Sequence, residues 1–254
     1  MKNLNILILN TQKAYQPSFR DFIHDVLASD KYDFVLLQEV DAKVVSIITQ
    51  FEHSYVVVHP FDANLSTNTG VCILYKKAFV LKDTQFVSFA NFDPNMPMRG
   101  WGFVDGIFVV HGQDILVGSV HLHSGIKTSI RKKEIEIIKE SLSNYKNNIP
   151  IVFAGDFNTG FPGEVSEIEK ILLPDFIRVS KNIGPTLDSR YTEKSSFLLN
   201  RVNSFFARFG ISFKFRTDHV YFDISTLKTN DILCTVLPNR VSDHLAIDIK
   251  IHSK

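Results

Sequence analysis

The chain is short of several things that would have narrowed its function at once. Only two cysteines occur in 254 residues, Cys72 and Cys234, each inside an apolar run. A disulfide-stapled scaffold is excluded, and the pair reads as two free buried thiols with nothing to mark an oxidising compartment. Charge of one sign is missing too: 28 Lys and Arg against 27 Asp and Glu leave a net charge of +1. Gripping a long polyanion by charge alone is not expected of such a surface, although a phosphate met at a local site stays possible. No apolar run is long enough to cross a bilayer. The opening MKNLNILILN has one Lys, a short apolar run and no small-residue cleavage site, so it reads as a first strand. The cytoplasm is the expected location, with export by a route that leaves no readable signal kept open. Repeats, low-complexity tracts and Pro/Gly/Ser linkers are absent. One domain over residues 1–254 and a monomer are the simplest expectations.

What the sequence does have is phenylalanine, 22 of them, and many short β-branched runs. These are 4–9, 33–37, 55–58, 71–75, 103–109, 115–120, 149–153, 219–222, 232–236 and 245–249. Continuous runs of this length read as strands buried on both faces. Helical periodicity lies between them at 19–27, 127–142 and 195–209, the last closed by Gly210, and more weakly at 44–51 and 165–172. Strands interleaved with a few helices give a layered α/β or α+β fold. The cluster Arg131, Lys132 and Lys133 opens the 127–142 helix and reads as a solvated face.

The strands end in a recurring set of polar residues. Leu9 runs into Asn10, Leu37 into Gln38 and Glu39, Val120 into His121, Leu122 and His123, and Ala154 into Gly155, Asp156, Phe157 and Asn158. Thr217 and Asp218 precede one late run, and Asp243 and His244 precede another. Any one of these could cap a turn or satisfy a nearby backbone group. Together they supply carboxylates, amides and histidines at strand ends, where layered sheets place ligand sites. Carboxylates crowded there repel one another, and a hard divalent cation relieves the repulsion.

LNTQ, LLQEV, SVHLHSG, AGDFNTG, RTDHVYF and VSDHLAI, in this order, resemble the signature of the endonuclease/exonuclease/phosphatase superfamily. That group includes DNase I-like nucleases, abasic-site endonucleases, tyrosyl-DNA phosphodiesterases, deadenylases, sphingomyelinases and inositol-polyphosphate 5-phosphatases. The resemblance covers positions 4 to 249. It implies a DNase I-like four-layered α-β-β-α sandwich of two mixed sheets, with the site at one end. It also implies a Mg²⁺- or Mn²⁺-dependent hydrolase that uses activated water on phosphoesters. By resemblance, Glu39 would bind the metal, with Asn10 beside it and Asp243 completing the region. Asp156 would orient or deprotonate the water, and Asn158 would donate to a phosphate oxygen. Asp218 would pair with His244, and the general base would be Asp156 or His244. His121 would contact phosphate, with His123 as the alternative.

The substrate is less defined. The Trp–Cys–Asp–Arg block of the inositol 5-phosphatases is missing, and GDFNTG departs from the GDxNV of the abasic-site enzymes. Trp101 beside Arg99 could stack on a base or grip a phosphate, or the Trp could close the core where a strand begins. Arg190, Tyr191 and Arg201 lie between GDFN and RTDH, as substrate contacts or as a solvated loop. DNA, RNA or a nucleic-acid end is the expected substrate. The alternative is a sphingomyelinase- or inositol-phosphatase-like hydrolase of lipid or small-molecule phosphoesters.

Overall fold

The computed structural model describes residues 3–14, 16–58, 70–89, 102–124, 127–145, 148–160, 163–188, 214–238 and 241–253. Among these, two six-stranded sheets form. The first contains β1 (Leu4–Asn10), β2 (Phe34–Val40), β3 (Tyr55–Val58), β4 (Gly70–Lys76), β13 (Asn230–Val236) and β14 (Ile247–Ser253). Its order is β13-β14-β1-β2-β4-β3. The second contains β5 (Val80–Ser88), β6 (Gly102–Val110), β7 (Gln113–His121), β8 (Ile151–Asp156), β9 (Phe176–Arg178) and β12 (Asp218–Asp223). Its order is β5-β6-β7-β8-β12-β9. A two-stranded ribbon pairs β10 (Leu187–Asp188) with β11 (Lys214–Phe215).

Each sheet has one parallel pair at its middle, β1/β2 in the first and β7/β8 in the second. A parallel pair needs a crossover, and helices supply it. These are α1 (Phe19–Ala28) between β1 and β2, and α3 (Thr128–Ser143) between β7 and β8. Two shorter helices, α2 (Ala42–Ile48) and α4 (Glu164–Leu172), lie beside them. Asp41 starts α2, its Oδ1 accepting from the amides of Lys43 and Val44 at 3.0 Å.

Strand alternation sorts the apolar side chains into three layers of contact. Ile6, Ile8 and Leu36 face Val117, Val152 and Val220 in the space between the sheets. The opposite parity, Leu7, Leu9 and Leu37, lies under Phe19, Ile23 and Val44 of α1 and α2. On the other outer face Val120, Phe153 and Tyr221 lie under Ile135, Ile138 and Ile168 of α3 and α4. The result is the helix–sheet–sheet–helix sandwich expected. Each fully buried aliphatic or Phe side chain contributes roughly 1.5–3 kcal/mol by leaving water. The central strands are continuous apolar runs because both of their faces are covered. Cys72 is buried, Cys234 is half-buried, and both are free thiols. No described helix is long and apolar enough to cross a membrane.

Several expectations shift. β5 was not anticipated, because VLKDTQFVS is mostly exposed and polar, as suits an edge strand. The expected helix at 44–51 starts two residues earlier and tightens into a 3₁₀ turn over Thr49–Phe51. The helix at 195–209 lies outside the described residues. Arg131 is not solvated: it is fully buried, and Lys132 and Lys133 alone reach solvent.

One buried charge in the second sheet is poorly compensated. Asp105, on β6, is buried, and its Oδ2 has no hydrogen-bond partner among the described residues. Burial first, and the neighbouring Asp83 second, push its carboxyl up to about 7, against the amide of Gln85. A raised folded-state value means folding takes up a proton. The stability this provides is complete below about pH 4 and is lost as pH rises through about 7. Asp105→Asn is expected to remove that slope. Denaturant melts across this range will show the variant gaining on the wild type as pH rises, by at most about 4 kcal/mol above neutrality. A parallel pair of pH profiles would contradict the assignment.

Candidate active site

The chemistry-bearing residues lie where the two parallel pairs end. In the second sheet the register places His121 of β7 opposite Asp156 of β8, and Asp156 opposite Asp218 of β12. One transverse row therefore carries a histidine and two carboxylates. In the first sheet Asn10 pairs with Gln38. An irregularity in the β2–β4 register between Leu37 and Val40 follows, with Glu39 at φ +53°. Such a bulge re-aims a side chain at a strand end. It lets Gln38 reach across to the other sheet, where its Nε2 donates to Ser119 Oγ at 3.0 Å, while Glu39 opens toward solvent. Glu39 is the most accessible of the clustered acids, with 28% of its side chain exposed.

Asp156 is the centre. Asn10 Nδ2 donates to its Oδ2 at 2.9 Å and to Glu39 Oε1 at 3.2 Å, so one carboxamide bridges two carboxylates. Asn10 Oδ1 in turn accepts from the amide of Gln12 at 3.0 Å. The amide of Asn158 donates to Asp156 Oδ1 at 2.8 Å. Two imidazoles flank the same carboxylate: His121 Nε2 at 3.7 Å and His244 Nε2 at 3.6 Å. His244 Nδ1 hydrogen-bonds Asp218 Oδ2 at 2.8 Å, and Thr217 Oγ1 donates to that oxygen at 3.0 Å. Asp243 Oδ1 lies 4.0 Å from His244 Nε2. Asn158 gives one amide hydrogen to Leu122 O at 2.8 Å, which leaves its second hydrogen and Oδ1 for a ligand.

Burial and mutual charge set the protonation states. Burial raises Asp156 to about 6, with Asp218 adding to it and His244 and His121 opposing. Burial would raise Asp218 as well, but His244 and the hydroxyls of Thr186 and Thr217 hold it below the ordinary carboxylate range. His244 is raised well above an ordinary histidine in spite of burial, by Asp218 first, then Asp156 and Asp243. His121 falls to about 4, chiefly through burial, and is therefore neutral. Neither ring nitrogen of His121 has a hydrogen-bond partner among the described residues, although the side chain is 4% exposed. Buried polar atoms left this way are explained best by a ligand.

Atoms of Asp156, Asp218 and His244 lie within 4.8 Å of one another, close enough to share a cation. The Asp218–His244 hydrogen bond already uses one atom of each. Glu39 and Asp243 offer hard oxygen donors of the kind that suit Mg²⁺ or Mn²⁺.

Residues 3–244 match the model of the Endonuclease/Exonuclease/phosphatase family. The chain belongs to that family. No curated protein matches it by sequence. Among solved structures it resembles TDP2 of D. rerio complexed with a single-strand DNA product, at TM-score 0.77 and 16% identity over 100% of both chains. TDP2 from C. elegans follows at TM-score 0.74 and 16% identity, covering 99% of this chain and 75% of that one. A functionally unknown conserved protein from Enterococcus faecalis V583 has TM-score 0.72 and 18% identity, covering 99% of this chain and 100% of its own. Likeness at these identities establishes the fold, and the family makes phosphoester hydrolysis the chemistry to which the site belongs.

Asn10, Glu39, His121, Asp156, Asn158, Asp218, Asp243 and His244 all meet in this family member. Of the two histidines in SVHLHSG, His121 is the one whose ring faces Asp156. Arg99, Trp101 and Arg190 lie outside the described residues. Sequence reasoning gave no role to Gln12, which orients Asn10 and accepts the Asp243 amide at 3.2 Å, or to Thr186. The Thr186 hydroxyl accepts from the amides of Thr217 and Asp218 at 3.2 Å. Gln12 closes the quoted motif LNTQ, whereas Thr186 lies far from any quoted motif and carried no signal.

Gly155 sets the clearance between the neighbouring strands β7 and β8, and toward Gln38 of the other sheet. At φ +148° a Cβ would lie 2.1 Å from Val120 O and 3.0 Å from Gln38 Nε2. Gly155→Ala is therefore expected to force β7 and β8 apart beneath Asp156 and His121, at a cost of about 3 kcal/mol or more. Urea denaturation checks it, and a variant as stable as wild type would show that β7 and β8 tolerate wider spacing.

Proposed function

We propose that the chain is a metal-dependent phosphodiesterase that cleaves nucleic acid, or adducts at nucleic-acid ends, by in-line attack of water. The observation that carries this is Asp156 held between two imidazoles, one paired with Asp218 and the other with unpartnered ring nitrogens. The likeness to a TDP2 structure complexed with single-strand DNA supports a nucleic-acid substrate over lipid or small-molecule phosphoesters.

Glu39 and Asp243, with Asn10 beside them, would hold the Mg²⁺ or Mn²⁺, which supplies charge neutralisation and Lewis acidity at the phosphoryl oxygens. The protein groups do the rest. Asp156 orients the attacking water, and its proton passes to the Asp156–His244 pair. Asp218 fixes the ring of His244 through Nδ1 and stabilises its charged form. Neutral His121 donates one N–H to a non-bridging oxygen, and Asn158 donates its free amide hydrogen to another, both where charge builds in the transition state.

Asp156→Ala and His244→Ala are each expected to lower kcat by roughly a thousandfold or more while leaving the melting temperature close to wild type. The assay is a panel run with Mg²⁺ or Mn²⁺, with and without chelator. It comprises plasmid DNA, single-stranded oligonucleotides, 5′-tyrosyl DNA, sphingomyelin and inositol phosphates. Turnover confined to the DNA substrates and lost on chelation is the expected result. Activity that survives chelation would remove the metal from the scheme, and turnover of sphingomyelin or inositol phosphates alone would replace the substrate class.

A further inference from the structure

Arg131 lies on α3, apart from the groups described around Asp156, yet it is buried at 0% exposure. Its Nε donates to Glu164 Oε1 at 2.7 Å, and Nη2 donates to the same oxygen. Nη1 donates to the carbonyl of His123 at 2.8 Å. One turn along α3, Glu134 Oε2 accepts the amide of His123 at 3.0 Å. Both backbone groups of His123 are thus tied to side chains of α3, and through Arg131 to the first residue of α4. The preceding residue is tied to β8: Leu122 donates its amide to Asp156 O at 2.9 Å and accepts Asn158 Nδ2 at 2.8 Å. The residue before that is His121.

A buried Arg–Glu pair is a poor way to hold two helices together. Desolvating both ions costs about as much as their attraction returns, and an apolar pair of similar volume packs as well or better. An apolar pair cannot donate to a carbonyl in a fixed direction, whereas a guanidinium locked in its plane by a carboxylate can. Burial also pushes the Glu134 carboxyl up to about 7, although the His123 amide and Arg131 oppose it, so an uncharged oxygen would serve there.

The geometry points to Arg131, with Glu164 and Glu134, as positioning residues that hold the 121–123 segment so that His121 meets the phosphate. This inference rests on the phosphoesterase reading above. It is tested with Arg131→Met/Glu164→Leu, which removes both charges together and so avoids stranding either one. The expected melting temperature is within a few degrees of wild type. Amide hydrogen exchange at 121–124 should quicken about tenfold or more while central β7 is unchanged. kcat should fall about tenfold or more, with KM within about threefold. Added to His121→Ala, the pair should cost little further, because both act through one imidazole. Glu134→Gln should stay near wild type, and Glu134→Leu should behave like the pair. A folded double variant with normal exchange and normal kcat would overturn the inference, as would losses that simply multiply with His121→Ala. If the double variant does not fold, Arg131→Lys carries the same measurements, since it keeps the charge and loses the fork. Failure of the phosphoesterase reading is distinguishable: the wild type would turn over nothing in the panel, while the exchange measurement would still decide the clamp.

Discussion

A carboxylate buried at the meeting point of two sheets constrains everything around it. Asp156 is 1% exposed, and unaided it would be protonated or would drag water into the core. The site keeps it within reach of ionisation near neutrality by surrounding it with donors: a carboxamide from β1, a backbone amide from its own turn, and an imidazole on each side. Asn10 has a second task. By donating to both Asp156 and Glu39 it sits between two carboxylates that would otherwise repel each other.

The sandwich makes this convergence cheap in chain entropy. Each sheet is built around one parallel pair, and the pairs are oriented so that their C-terminal ends share one edge. Four polar strand ends arrive there from four sequence-distant segments. The antiparallel neighbours β12 and β14 start at the same edge, so Asp218 and the Asp243–His244 segment arrive as the chain enters a strand. Helices α1, α2, α3 and α4 cover the outer faces and are stabilised by apolar packing well away from the carboxylates. Gln38 to Ser119 and Asn10 to Asp156 are polar straps between the two sheets near the site, and Gly155 leaves space beside the Gln38 carboxamide.

Most of this was legible in the sequence for one reason. Strands buried on both faces appear as unbroken apolar runs, and a polar residue ending such a run stands out. Strand β5 was not legible, since an edge strand exposed to water has no such run. Arg131 was not legible either: beside two lysines it looks solvated, and only the packing of α3 on α4 shows it turned inward. The same limit applies to Glu39. Its motif was visible, but the bulge and left-handed backbone that separate its direction from that of Gln38 depend on pairing with β4. Between the histidines of SVHLHSG, sequence left a choice that ring placement makes concrete. His121 faces the carboxylates, and the backbone of His123 is what α3 grips.

The electrostatics of the site bear on its substrate. Glu39, Asp156, Asp218 and Asp243 bring four carboxylates to one site, against one imidazolium at His244 and a neutral His121. An anionic phosphodiester approaching such a site would be repelled, and a net charge of +1 over the whole chain gives little long-range attraction to offset that. On the proposed reading, a hard cation at Glu39, the most open of these acids, would reverse the local sign where the phosphate would sit. Binding would then be governed by a few contacts at one phosphate and not by a long basic track. That favours a strand end, or a short single-stranded stretch, over extended duplex held along its length.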